Sequence, residues 1–564
     1  MLTLRSRMER PVIWRGFGRA GMEHAWPAWR PVRRRTGRQR PPAIVWVPAA
    51  LVALGMMVPL LYLVVRASEA GAGAWDLLLR PRTFLVVRNT ALLAVSVAVA
   101  TSLIAVPLAW LTTRTDLPGR RFWATAAALP LVVPSYVGAL AMVAALGPRG
   151  LLQGALAPLG VERLPEIYGF FGAWLTLTLF TYPYVFLSVR AALRGLDPAL
   201  EEAARCLGHG SWRSFFGCTL PQLRPSIAAG ALLAALYAVS DFGVVTLLRY
   251  DAFTRAIYLQ YRASFDRTAA AALALLLVLF AVALLLAEGR FRGRRGAAYH
   301  RLGSGAARRA RPVPLGRWRY PALAYCAVVV ALALGLPLGV LAYWFERGIA
   351  SGEALDGLRI AAIHSVSVGA WAAMVATVAA LPVATLAVRY AGRAGALAER
   401  ICYLGYALPG VTIALAFVFL GARYLTPFYQ TLPLLIVAYV VRFLPQAVGA
   451  ARLSLLQISP RLEEAARTLG RSQLGATAAV TVPLARPGLA AGAALVFLTV
   501  MKELPVTLFL SPTGYETLAT AIWTATGTGA FGRAAAPALL LIAVSAVPTL
   551  LLVLRDRPAG GGGA

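Results

Sequence analysis

The chain has 564 residues, of which 59% are hydrophobic and 14% charged. That is too apolar for a soluble globular protein of this length and places the chain among polytopic membrane proteins. Its formal charge of +32, from 55 Lys and Arg against 23 Asp and Glu, clusters beside apolar runs and so reads as membrane topology, with no nucleic-acid partner expected.

Residues 1–42 are rich in Arg and Trp and lack a compact apolar core with a small-residue cleavage site, so they do not read as a secretory signal. A basic cytoplasmic tail is expected there, with Arg and Trp available to lipid headgroups. A helix needs about 20 apolar residues to cross a hydrocarbon core of about 30 Å. Such windows follow at 43–66, 89–112, 123–146, 169–188, 227–248 and 268–287, giving a first six-span half over 43–288. Arg33, Arg34 and Arg35 precede the first span, and Arg120 and Arg121 follow the second, which assigns the N-terminus and these loops to the cytoplasm.

Between the fourth and fifth spans lies EEAARCLGHGSWRSFFGCTLPQLRPSIAAG, residues 201–230, which returns between the tenth and eleventh as EEAARTLGRSQLGATAAVTVPLARPGLAAG, residues 463–492. The offset is 262 throughout, pairing Glu202 with Glu464, Gly208 with Gly470, Pro221 with Pro483, Pro225 with Pro487 and Gly230 with Gly492. A polar device written twice at one offset implies two related membrane halves, each carrying it on the same side. Asp197-Pro198 and Ser459-Pro460 each offer a helix N-cap followed by proline at the first helical position. Leu200, Ala203, Ala204 and Leu207 then form one apolar stripe at helical spacing, with Glu201 and Arg205 on another face. Gly208 and Gly470 supply the left-handed residue that ends each helix. A second short helical piece is expected to run from Ser211 or Ser472 until Pro221 or Pro483 stops or kinks it. The expected product is a rigid elbow under the membrane, suited to docking into a cleft.

Asp241 falls inside the fifth expected span, where a charge is costly and by default faces a wet pathway or another span. Tyr258, Tyr261 and Asp266 fall in the outer loop expected next, within reach of an external protein. Residues 289–319, rich in Gly, Ala and Arg, read as a basic cytoplasmic linker. The second six-span half is expected over 320–564, with windows at 321–344, 364–388, 401–421, 432–450, 488–510 and 534–554 and a cytoplasmic C-terminus. Asn89 to Arg114 aligns with His364 to Arg389 at an offset of 275, and ALP at 128–130 pairs with ALP at 407–409. Such drift in offset places insertions in outer loops.

Glu503, in the eleventh span, stands 262 residues after Asp241 and beside Lys502, the one lysine of the chain. Two carboxylates related by pseudo-symmetry can meet at a central interface and receive a hard cation through oxygen. Local hydrogen bonding of Asp241, and pairing of Glu503 with Lys502 or Arg442, is the structural alternative. Cys206, Cys218, Cys326 and Cys402 lie in cytoplasmic loops or spans, where no disulfide framework is expected. His24, His209, His300 and His364 lack ligand spacing, so no fixed metal site is expected.

EEAARCLG and EEAARTLG, each followed by thirteen residues to Pro221 or Pro483, resemble the EAA loop of permease subunits of bacterial binding-protein-dependent ABC importers. SDFGVVTLLRYDAFTRAIYLQY at 240–261 and MKELPVTLFL at 501–510 resemble the fused two-domain permeases of the ferric-iron group. The resemblance implies an all-α polytopic protein with two six-helix permease domains of MetI-like type in the bacterial cytoplasmic membrane. It implies coupling elements at Glu201, Glu202, Ala203, Ala204 and Gly208 and at Glu463, Glu464, Ala465, Ala466 and Gly470. It also implies an external substrate-binding protein as partner.

No GxxxxGK[ST] phosphate cradle is present, so ATP is expected on a separate ATPase subunit, and two elbows call for two copies. The chain itself is expected to hold no cofactor and to catalyse nothing. Asp241, Glu503 and Lys502 are the candidate pathway residues. Ferric iron is the favoured substrate, with thiamine or 2-aminoethylphosphonate as alternatives within the same class. A nucleotide-independent channel would not need paired elbows, and an intramembrane enzyme would show a nucleophile–base pair or metal triad within the spans.

Overall fold

Apolar runs of this length satisfy their backbone polar groups only as helices in lipid, and the computed structural model is helical throughout its ordered elements. It describes residues 41–555 apart from 70–75, 77–78, 149, 162–163, 198, 264–266, 294–311, 353–354, 356, 391 and 407. The expected basic tail, most of the expected linker, Pro198 and Asp266 therefore lie outside the described residues. Among the described residues ten helices are long and apolar enough to cross a membrane, and Gly410–Tyr424 and Phe531–Val547 are shorter apolar helices. A single bridge, Thr115 to Val313, is the one β-type pairing among them.

Four expected spans are broken rather than continuous. The third divides into Arg120–Ala126, a 3-10 turn Leu129–Val132 and Ser135–Leu146, and the ninth into Arg393–Tyr403 and Gly410–Tyr424. Pro134 and Pro409 stand before the re-entering helices with φ of −61° and −60°, the residue type that cannot donate to a preceding turn. These two prolines are 275 apart, the offset of the second and eighth spans. The structural counterpart of Pro409 is thus Pro134, and the ALP pairing at 128 and 407 is a local coincidence of sequence. The change of offset from 275 to 262 falls between Ser135–Leu146 and Phe170–Gly195, where the first half carries the extra turns Leu151–Leu156 and Ala157–Leu159.

The fifth and eleventh spans are broken at their far ends. Leu220–Ser240 stops before Asp241 and resumes as Gly243–Leu247, while Val482–Met501 stops before Lys502 and resumes as Pro505–Leu510. At their near ends the helix does not stop at the proline, the first of the two outcomes, a stop or a kink, expected from sequence. A π turn, Phe215–Thr219 or Thr477–Thr481, widens the helix just before Pro221 or Pro483 and accommodates the ring and its missing N–H. Each elbow therefore runs on into its span without a break, as Phe215–Ser240 and Thr477–Met501.

Three helices form the body of each half. The second, fourth and fifth spans, α1 Pro81–Arg114, α2 Phe170–Gly195 and α3 Leu220–Ser240, pack together. Their counterparts α4 Leu358–Arg389, α5 Leu432–Gln457 and α6 Val482–Met501 do the same. Glycine permits the closest approach: a Cβ at Gly230 would lie 2.5 Å from the Val185 backbone, and one at Gly492 would lie 2.6 Å from Ala450 Cβ.

The outermost spans cross over. Ala43–Ser68 packs on α4, Arg393–Tyr403 and Gly410–Tyr424 of the second half, and Leu336–Ala350 packs on Ser135–Leu146 of the first. Each half is strapped by the first helix of the other, and the residues from Pro41 onward cluster as one compact unit.

Candidate functional site: paired elbows and a broken-helix centre

The elbow helices are Ala199–Cys206 and Pro460–Thr468. Asp197 caps the first, its Oδ1 accepting from the Ala199 amide at 3.0 Å. Ser459 occupies the equivalent place but makes no side-chain cap bond, so that expected cap is not formed. Both helices end as the glycines require. Gly208 and Gly470 have φ of +83° and +86°, with paired closing bonds from His209 N to Ala204 O and Gly208 N to Arg205 O, repeated from Arg471 N to Ala466 O and Gly470 N to Arg467 O. This is the doubly bonded left-handed cap that fixes the exit direction of the chain.

Each elbow has two differently committed faces. Glu201 turns back on the protein, accepting from Arg205 at 2.7 Å and from Thr219 at 3.4 Å. Glu463 likewise accepts from Thr481 and pairs with Arg389 at 3.2 Å. Glu202 and Glu464 are exposed, as are Ala203 and Ala465, while Ala204 is buried and Ala466 half-buried. Of the apolar stripe expected from sequence, Ala204 is covered while the leucines are not: Leu200 and Leu462 are about half exposed, and Leu207 and Leu469 are 80% and 85% exposed. A carboxylate beside uncovered leucines, presented twice at one offset, is a surface built to be covered.

At the other end of the fifth and eleventh spans the helix breaks expose backbone groups that Asp241 and Glu503 satisfy. Asp241 Oδ1 accepts from Val244 N at 2.8 Å and Oδ2 from Ser135 Oγ at 2.5 Å, while its carbonyl accepts from Thr254 Oγ1 at 2.6 Å. Glu503 Oε1 caps Val506 N at 3.4 Å, and Oε2 accepts from Arg442 Nε at 3.0 Å. Both carboxylates are only 7% exposed. Lys502 does not pair with Glu503. Its Nζ reaches across the halves to the Leu131 carbonyl at 3.2 Å.

The pseudo-symmetry is broken by chemistry. Ser135 in the first half corresponds to Gly410 in the second, and Phe180 to Arg442. Gly410 makes room for the ion pair, since a Cβ there would lie 2.6 Å from Glu503 Oε1 and 3.0 Å from Arg442 Cζ. Gly138 makes room for Phe180, whose ring a Cβ would meet at 2.1 Å. Sequence reasoning placed Arg442 near Glu503 but missed Ser135 and the Leu131 carbonyl; the shared 275 offset of Pro134 and Pro409 was the signal that could have found Ser135.

In the connection after the fifth span, Tyr258 and Tyr261 are held in a helix and not in an irregular loop. They lie on the helix Phe253–Ala263 and join an aromatic cluster spanning the two halves. Phe242 lies tilted against Trp523 at 5.1 Å and edge-on to Tyr258 at 5.0 Å, and Tyr261 meets Phe509 at 5.2 Å and Phe419 at 6.1 Å. Among the described residues no three His, Cys, Asp or Glu side chains converge as a metal-binding group. Cys206, Cys218, Cys326 and Cys402 are free thiols.

The chain matches the binding-protein-dependent transport system inner membrane component family twice, over residues 101–294 and 372–557. It is 32% identical over 519 residues, 91% of this chain and 98% of the relative, to the Fe(3+)-transport system permease protein FbpB 2 of Haemophilus influenzae. The ferric transport system permease protein FbpB of Actinobacillus pleuropneumoniae is 25% identical over 81% of this chain and 69% of its own length. The sulfate transport system permease protein CysT of Escherichia coli is 26% identical over 43% of this chain and 90% of its own length. With an elbow in each half and both halves matched, this all-α, multi-pass chain belongs to the family of binding-protein-dependent transport permeases, of the fused two-domain type.

Proposed function

We propose that the chain is the complete membrane pathway of an ATP-driven importer for ferric iron. Its first permease domain spans 43–288 and its second 320–564, with both termini and both elbows in the cytoplasm. The observation that carries the importer reading is the pair of elbows, each tied to the protein through Glu201 or Glu463 while leaving Glu202 or Glu464 and two leucines uncovered. One ATPase subunit on each elbow, with ATP bound there and not on this chain, covers these faces. Closure of the two ATPases draws the elbows together and rocks the halves, opening the central pathway to alternate sides. An external binding protein delivers the substrate, which passes Asp241, Glu503 and Lys502.

Ferric iron as substrate is supported by similarity along nearly the whole chain to a ferric permease. An oxyanion is the second reading. It is favoured by likeness to a sulfate permease and by Lys502, whose ammonium holds one backbone carbonyl at the interface between halves. Native mass spectrometry of the purified complex tests the assembly: two ATPase subunits per chain are expected, and a chain that purifies without any ATPase and conducts without nucleotide would be a channel. Identifying the ligand held by the cognate external binding protein decides the substrate, and an oxyanion there would remove iron.

A further inference from the structure

We propose that Arg114 and Arg389 are positioning residues that join each elbow to the second span of its own half, so that elbow and span move as one body. This rests on the elbows being ATPase docking elements. Arg114 and Arg389 are the last residues of α1 and α4. Arg114 Nη2 donates to the Leu196 carbonyl at 3.2 Å, and Arg389 Nη1 donates to the Ile458 carbonyl at 3.2 Å. Leu196 and Ile458 are equivalent residues directly after α2 and α5, at the root of each elbow. Such carbonyls at a helix end have no partner within their own helix.

In the second half the guanidinium also lies beside the elbow carboxylate. Arg389 Nη2 lies 3.2 Å from Glu463 Oε1, an ion pair whose side chains are 12% and 20% exposed. Thr481, at the foot of the eleventh span, donates to the same oxygen. In the first half Thr219 donates to Glu201 Oε2 at 3.4 Å, and Glu201 Oε1 accepts from Arg205 at 2.7 Å. Arginine, threonine and glutamate thus recur at equivalent positions in both halves. An exposed pair of this kind contributes little, but the Arg389 side chain is only 12% exposed. A guanidinium fork reaches a carbonyl and a carboxylate together, which an ammonium does not reproduce.

The body so defined contains the end of the second span, the end of the fourth, the elbow and the foot of the fifth. Force applied to the uncovered leucines then reaches the elbow-side end of the long helix α1 or α4 directly through this side chain, in addition to the packing of α1 or α4 on the neighbouring spans. Without that side chain the end of the second span follows the elbow less closely.

The test is double electron–electron resonance on the full chain with its ATPase in nanodiscs, before and after vanadate trapping. One nitroxide pair sits on the elbows, on Cys206 and Thr468→Cys with the other cysteines removed. A second pair sits on the lipid-facing, equivalent positions Val99→Cys and Met374→Cys of the second spans. In the parent both distances change. In Arg114→Ala/Arg389→Ala the elbow change persists and the second-span change falls below that of the parent, and Arg114→Lys/Arg389→Lys recovers part of it. A simple structural role would abolish both changes together. Both pairs moving in the alanine variant as they do in the parent would overturn the proposal; should that variant not assemble, a full second-span change in the lysine variant would do so. If neither pair moves in the parent, the docking reading itself fails and the coupling role falls with it.

Discussion

Arg442 Nε lies 3.0 Å from Glu503 Oε2 inside the second half, at a place where the first half sets Phe180 and leaves Asp241 to a serine hydroxyl. Two equivalent carboxylates are therefore held in different ways, one by a full charge and one by neutral donors.

That difference sets unequal costs of substitution. Arg442→Ala leaves Glu503 buried without its counter-charge and is expected to cost about 3–5 kcal/mol. Asp241→Asn keeps an acceptor for Val244 N and alters one hydrogen bond, from Ser135, with no ion pair broken, at about 1.5–3 kcal/mol. Gly410→Ala drives a methyl into the same pair and should fall near the arginine variant. Thermal unfolding of the solubilised chain ranks the three, and an Asp241→Asn loss equal to that of Arg442→Ala would refute the assignment.

At the elbow tips the strain is in the backbone. A Cβ at Gly208 or Gly470 would meet nothing within 4 Å, yet φ is +83° and +86°. Valine there should cost roughly 1–2 kcal/mol through conformation alone. Gly208→Val and Gly470→Val are expected to insert normally, as membrane fractionation reads, while lowering ATP-driven uptake. Undiminished uptake would mean that elbow rigidity is not what transmits force.

The uncovered leucines separate docking from stability. Leu207 and Leu469 are 80% and 85% exposed, so aspartate at both should change unfolding by no more than about 0.5 kcal/mol. The same double variant should lose the ATPase on co-purification. Retention of a full complement of ATPase would show that these leucines are not the docking face.

Much of this was legible because pseudo-symmetry writes itself into sequence. The 262 offset gave both elbows, their capping glycines and the close-packed Gly230 and Gly492. Prolines misled as stops where π turns absorbed them, at Pro221 and Pro483, because a one-residue widening of a helix leaves no signature in apolar periodicity. The broken spans were read as continuous since Asp241 and Glu503 are capping residues embedded in apolar runs, and a hydropathy window averages over such a break. Arg114 and Arg389 enter the sequence only as the ends of the 275-offset alignment; only the fold brings Leu196 to the first and Ile458 and Glu463 to the second.

The aromatic cluster around Trp523 yields the last prediction. Phe242 follows Asp241 directly and lies tilted against Trp523 of the other half at 5.1 Å, and Tyr258 meets Phe242 edge-on. If the proposed pathway passes the two carboxylates, these contacts lie across it next to Asp241. Each such aromatic pair contributes about 0.5–1.5 kcal/mol beyond its buried area, so losing one raises the open population by about tenfold at the upper end. A cysteine at Ser240, beside Asp241, in a cysteine-free background reports that opening to an impermeant maleimide added outside. Trp523→Ala should speed labelling by that order while saturating vanadate leaves the difference smaller, because trapping opens the parent as well. Equal labelling rates with and without the indole would show that the seal lies elsewhere in the chain.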